Sequence, residues 1–323
     1  MHLDCKIPES ATHLRWKSHN LLGCEFRGCM TQTWLRLALV ALVLALLSAR
    51  LQRWLAGILR ARPALFWLAP VLLSGVFMFA AWMTGAASWP LALATLAYTL
   101  APSACAAALG PVTSPRPHAL DFLVILLLWI PLELNLAKPL VLPAAQGYLH
   151  SVIYGVANLL GLTIFLLYRG FSGMKYNLPR RASDFRNALL GFVLAAPVLI
   201  GLGLAIGFIS FPHWHPATPG RMAGAVALIF IGTALPEEIL FRALIQNFIL
   251  QRWGETTRCS IVASVIFGLS HLNNGPQALP NWRYAIVASF AGFAYGKVFQ
   301  KSSSIFASAL LHTAVDWVKH FVF

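Results

Sequence analysis

The chain has 323 residues, 59% of them apolar and only 11% charged, with a mean hydropathy of +0.71. A soluble domain carries roughly 25% charged residues, so these figures exclude a soluble globular protein, along with collagen-like, disordered and disulfide-stapled classes. The 24 Lys and Arg against 10 Asp and Glu give a net charge of +14, which fits basic residues held in loops on one side of a bilayer and not a nucleic-acid partner.

Residues 1–32 hold Cys5, Cys24 and Cys29 and no long apolar run. No basic segment leads into an apolar one, so they do not read as a signal peptide. They are expected to be a disordered N-terminal extension, or to precede a true start at Met30. The two remaining cysteines, Cys105 and Cys259, form no CxxC pair, so a zinc–cysteine site is not expected.

A membrane span needs about 20 mostly apolar residues. Such runs lie near 33–49, 64–84, 88–110, 119–137, 148–168, 187–210, 222–250, 259–271, 284–299 and 303–319. The expected fold is therefore all-α, a polytopic integral membrane bundle of about eight to ten transmembrane helices. With the N-terminus outside, Arg50, Arg53, Arg60, Arg62, Arg116, Arg169, Lys175, Arg180, Arg181, Arg186, Arg252, Arg258, Lys297 and Lys301 share one side. Lys138, Arg221, Arg283 and Lys319 fall on the other, which makes the first side cytoplasmic. The polar loop 169–186 separates an N-terminal transmembrane region, 33–186, from a C-terminal one, 187–323. Gly203 and Gly207 form a small-xxx-small pair suited to helix packing. His213-Trp214-His215, between two prolines, suits an anchor at the membrane interface; a His-x-His metal site is the weaker reading.

A charge at the bilayer centre costs about 2.5–3.5 kcal/mol even on the lenient scale, so buried acids need a reason. Glu133, Glu237, Glu238 and Asp316 lie inside apolar segments. Glu133 has Lys138 near the end of its span as an expected partner. Glu238 and Arg242 are four apart and share a helix face, whereas Glu237 is turned about 100° away. Pro236 can bend the helix just before them. His271 ends the next apolar helix in Phe267-Gly268-Leu269-Ser270-His271. In the last span His312 and Asp316 share a face, a spacing that suits a common metal or a carboxylate orienting an imidazole. Singly, each feature is also satisfied by a Glu–Arg clamp, a core histidine or a helix-stabilising polar pair. Together, two imidazoles and several carboxylates inside a membrane are what activating a water requires.

Glu237-Glu238-x-x-x-Arg242, Phe267-x-x-x-His271 and His312-x-x-x-Asp316, in this order on late helices, resemble the CPBP family of CAAX-processing and bacteriocin-processing intramembrane proteases. These are also called the abortive-infection family or Rce1-like type II CAAX endopeptidases. The resemblance covers roughly residues 222–319 and implies a peptide-bond hydrolase acting at or within the membrane. It implies Glu237 as general base, polarising water with His271, Glu238 and Arg242 as a supporting pair, and His312 with position 316 as the oxyanion site. Position 316 is Asp where some members have Asn. An ionised Asp cannot donate a hydrogen bond, so Asp316 is protonated, acts through His312, or binds a metal. His271, His312 and Asp316 are accordingly the candidate ligands of a zinc ion with an open position for water.

The expected substrate is a membrane-embedded or lipid-anchored protein or peptide, with the lipid bilayer itself as the other partner. The expected location is a bacterial inner membrane. Site-2-type and presenilin-like proteases are disfavoured, because HExxH and GxGD are missing, and the rhomboid-type GxSG occurs only at Gly170-Phe171-Ser172-Gly173, in the polar loop. The alternative is a transporter or scaffold in which the same cluster serves as a proton relay or polar clamp, although no matching broken helix marks the first half.

Overall fold

The computed structural model describes residues 18–114, 116–212, 217–275 and 279–323, with side chains from Met30 onward. The expectation for 1–32 lies outside the described residues over 1–17, whereas 18–32 belong to a helix that begins at Ser18; that for His213-Trp214-His215 lies entirely outside them. Eleven helical rods make up the described chain: α1 (Ser18–Ala45), α2 (Ala49–Ala61), α3 (Pro63–Met83), α4 (Trp89–Leu109), α5 (Ala119–Glu133) and α6 (Pro143–Arg169). After the loop 170–181 come α7 (Ala182–Ala205), α8 (Pro219–Trp253), α9 (Thr257–Leu269), α10 (Trp282–Lys301) and α11 (Phe306–Val322).

Five of these, α3, α4, α6, α7 and α8, are long and apolar enough to cross a membrane, and α1 with α2 makes a sixth if the bent pair is one span. The other expected spans form helices that are shorter or more polar. The bundle is helical throughout because a bilayer offers no water to unsatisfied backbone groups. Its lipid-facing character shows on α7, where Leu189, Leu190, Val193, Leu194 and Val198 are all exposed.

Local chemistry sets the helix starts. Ser88, Thr218, Thr256 and Asn281 each accept a backbone N–H from three residues on, opening α4, α8, α9 and α10. At α5 the Asp121 carboxylate accepts from His118 N at 2.8 Å while His118 Nδ1 accepts from the helix, a reciprocal cap.

The first expected span, 33–49, is shorter than the sequence suggests. α1 stops at Ala45, and α2 leaves it at 90°. Leu51, Leu55 and Leu59 pack onto the core, and Arg50, Arg53 and Arg60 point away from it. An apolar run that turns into an amphipathic pattern of period 3.6 lies along the end of a bundle instead of continuing through it.

The loop 170–181 is no free linker. Tyr176 Oη donates to Val43 O at 2.6 Å, and Lys175 Nζ donates to Phe299 O at 2.8 Å and Gln300 O at 3.0 Å, closing the C-terminal end of α10. Burial pushes the Lys175 ammonium below its ordinary range, and Glu255 and Asp184 partly oppose this. Phe165, Phe171 and Phe248 stack on one another across the two regions, and one hydrophobic core runs through both.

Asp121 and Asp184, near the starts of α5 and α7, are buried. Asp121 forms an ion pair with Arg169 at 2.9 Å, and that arginine also donates to Gly110 O. Asp184 accepts from Ser303 N at 2.7 Å and Ser303 Oγ at 2.6 Å, fastening the start of α7 to the turn before α11. Glu133, expected to pair with Lys138, instead accepts from Trp129 Nε1 at 2.9 Å, while Lys138 is exposed. Gly203 and Gly207 do not join two helices. Gly207 takes φ +66° at the end of α7, and Gly203 faces Ile209 in the turn that follows.

Candidate active site

The expected cluster assembles from α8, α9 and α11. Pro236 opens a short α turn, Leu235–Glu238, with π-helical stretches on both sides, Phe230–Ala234 and Ile239–Gln246. The wider π turn changes the angle between successive side chains, and such bulges concentrate at functional sites. α9 and α10 approach closely enough that a Cβ at Gly268 would meet Ser289 and the Ala285 carbonyl, and one at Gly292 would meet Phe267. That close packing sets Phe267 and His271 against α8.

Glu238 and Arg242 are fully buried and paired, with Arg242 Nε 3.3 Å from Glu238 Oε2. The guanidinium makes no hydrogen bond to the protein among the described residues, and lies over the rings of Phe267 at 4.7 Å and Tyr295 at 5.8 Å. The other Glu238 oxygen is 3.2 Å from His312 Nδ1. His312 stacks on Tyr295 at 4.5 Å. His271 Nδ1 is 2.8 Å from Phe267 O, and its ring is held between Phe267 and Tyr284.

With each Nδ1 tied to an acceptor, both histidines turn Nε2 toward Glu237. Glu237 Oε2 lies 3.8 Å from His312 Nε2 and 4.0 Å from His271 Nε2, and Asp316 Oδ2 lies 3.5 Å from His312 Nε2. The side chains of Glu237 and Asp316 are 30% and 29% exposed, so the cleft is open on their side. Glu237 Oε2 is nevertheless buried and has no hydrogen-bond partner among the described residues. All six expected residues, Glu237, Glu238, Arg242, His271, His312 and Asp316, meet at this one place. As the helical spacing requires, Glu238 and not Glu237 pairs with Arg242.

His271, His312 and Asp316 fit a zinc ion less well than the spacing in sequence suggests. Two ligands at about 2.0–2.2 Å on a tetrahedral zinc stand about 3.3 Å apart, and of these three side chains His312 Nε2 and Asp316 Oδ2 are 3.5 Å apart. Among the described residues no three His, Cys, Asp or Glu side chains converge on a metal position.

Residues 219–318 match the family model described as type II CAAX prenyl endopeptidase, Rce1-like. This stretch is similar to that domain. The match implies a protease, a hydrolase of peptide bonds in membrane-associated proteins, and the apolar helices make the chain an integral membrane protein. No curated protein and no solved structure matches the chain. The matched stretch contains every expected site residue, and its α8 packs against aromatic residues of the preceding helices, as Trp129 and Phe241 show at 5.4 Å.

Sequence reading missed Tyr284 and Tyr295, which stack on the two histidines, and Lys319 beside them. Aromatic residues in apolar helices carry no signal of their own. The basic residue one turn beyond Asp316 is the feature that could have marked Lys319.

Proposed function

We propose that the chain is an intramembrane endopeptidase that cleaves a membrane-embedded or lipid-anchored peptide with a water activated by Glu237. The observation that carries this reading is the convergence of a buried Glu237 oxygen, without a hydrogen bond among the described residues, with two imidazole Nε2 atoms at 3.8 and 4.0 Å. A water bound there is held by Glu237 and His271 from two sides.

Glu237 takes a proton from this water as its oxygen attacks the scissile carbonyl carbon. The carbonyl oxygen gains the negative charge. His312, doubly protonated with Nδ1–H on Glu238, donates Nε2–H to that oxyanion. Asp316 acts through His312 in this scheme, which resolves how an acid can occupy that position. The proton on Glu237 then passes to the leaving amine as the C–N bond breaks, and the carboxylate is restored. Arg242 and Glu238 touch no reactant and position His312. The separations around Glu237 suit a hydrogen-bonded water, and no step is routed through a metal.

The test compares wild type with Glu237→Gln in the native membrane, measuring membrane-anchored precursors by proteomics. Gln keeps shape and hydrogen bonding, so a scaffold or clamp survives it. A defined precursor that accumulates in the variant at normal protein level supports the protease. If wild type and variant show the same precursors and neither cleaves any, the cluster is a polar clamp and the reading fails.

A further inference from the structure

Lys319 lies one residue beyond the Rce1-like match and one turn past Asp316 on α11. Its ammonium sits over the ring of Tyr284 at 4.2 Å and over that of Phe208 at 4.9 Å. Tyr284 in turn packs on His271, with ring centroids 4.6 Å apart. Lys319 is within electrostatic reach of both Asp316 and His271, yet it forms no ion pair and no hydrogen bond among the described residues. The cation is thus half-buried, oriented by two aromatic faces, and its three donors make no hydrogen bond among the described residues beside the catalytic cleft.

A strongly hydrated ammonium is costly to hold in such a place with no anion in ion-pair contact and only Asp316 within electrostatic reach. We propose that Lys319, caged by Phe208 and Tyr284, binds a carboxylate of the peptide substrate and so sets which bond reaches Glu237. This rests on the protease reading and adds a specificity-determining residue to it. One aromatic ring separates Lys319 from His271, and an extended peptide advances ~3.3 Å per residue. The carboxylate therefore lies within a few residues of the scissile bond. It belongs either to the peptide's C-terminus or to an Asp or Glu side chain.

The experiment uses the full chain in nanodiscs and N-acylated peptides of randomised sequence. They are supplied with a free C-terminus, as C-terminal amides, and as amides carrying one internal Asp or Glu. Binding is measured on the Glu237→Gln protein, with and without Lys319→Gln, and hydrolysis on wild type and Lys319→Gln. Carboxylate-bearing peptides should bind about tenfold more weakly once Lys319 is replaced, the size of one charge-assisted hydrogen bond. In hydrolysis the same loss should fall on KM, with kcat and all values for plain amides unchanged, and Lys319→Arg should restore part of it. Loss confined to free C-termini assigns the terminal carboxylate, and loss confined to internal acids assigns a side chain. Equal binding of acid and amide forms, or a fall in kcat on both, overturns the proposal in favour of a charge that merely neutralises Asp316. Selective binding without any hydrolysis by wild type leaves Lys319 as an anion site and refutes the protease reading instead.

Discussion

At the scale of single residues, the site is ordered by what each buried charge needs. Arg242 and Glu238 share a fully buried pocket walled by Phe267 and Tyr295. Removing one partner of such a pair leaves the other uncompensated, at a cost of about 3–5 kcal/mol. Arg242→Met should therefore lower thermal stability in detergent steeply and abolish activity by freeing His312. Glu238→Gln combined with Arg242→Met should recover much of the stability and none of the activity, and a double variant no more stable than Arg242→Met would argue against the pair. A second residue-scale expectation concerns metal. Because Glu237, His271 and His312 are spaced for a bridging water, hydrolysis should persist after chelation to a metal-free state verified by elemental analysis. Activity that vanishes on chelation and returns with zinc would overturn this expectation. The six expected residues were legible because an acid or imidazole in an apolar run is expensive enough to stand out. Lys319, Tyr284 and Tyr295 were not, because their roles arise only when α10 and α11 are placed side by side.

At the scale of elements, small residues decide how close the catalytic helices come. A Cβ at Gly268 would run into Ser289 and the backbone of Ala285, so α9 would have to move away from α10 and take His271 with it. Gly268→Ala should cost about 1–3 kcal/mol by overpacking and reduce turnover, whereas Gly201→Ala, which meets nothing within 4 Å, should be neutral or slightly stabilising. Thermal unfolding and turnover measured on both variants check this; equal effects at the two positions would show that the close approach is not what seats His271. The expected start at 88 meets the Ser88 cap of α4, whereas the starts at 222 and 259 fall short of the helices that Thr218 and Thr256 open. The π-helical turns around Glu237 were not legible, since no residue type specifies a π turn. The 90° break after Ala45 was hidden for a different reason. Hydrophobicity alone carries the apolar run onward, and only the Arg50, Arg53, Arg60 stripe on α2 reveals the turn.

At the scale of the whole molecule, the basic residues sort onto two ends. Gln52 donates to Tyr176 O at 2.6 Å, and Lys175 reaches Gln300 O, which places α2, the loop 170–181 and the end of α10 at one end of the bundle. Arg116 and Gln251 line the same cavity there as Lys175. At the opposite end Arg283 donates to the Gly207 carbonyl at 3.2 Å, and Lys319 covers Phe208. Basic residues are retained on the cytoplasmic side, so the end with Lys175 should face the cytoplasm and the cleft should lie nearer the other face along α11. Leu178 and Leu136 are exposed loop residues that report on this. In a chain whose five cysteines are replaced by serine, Leu136→Cys should react with an impermeant thiol reagent from outside intact cells. Leu178→Cys should react only after permeabilisation. The reverse pattern would turn the protein over and put the Arg-rich end outside, against the charge rule. Labelling of both from one side would break the bundle itself, because α6 would then no longer connect its two faces.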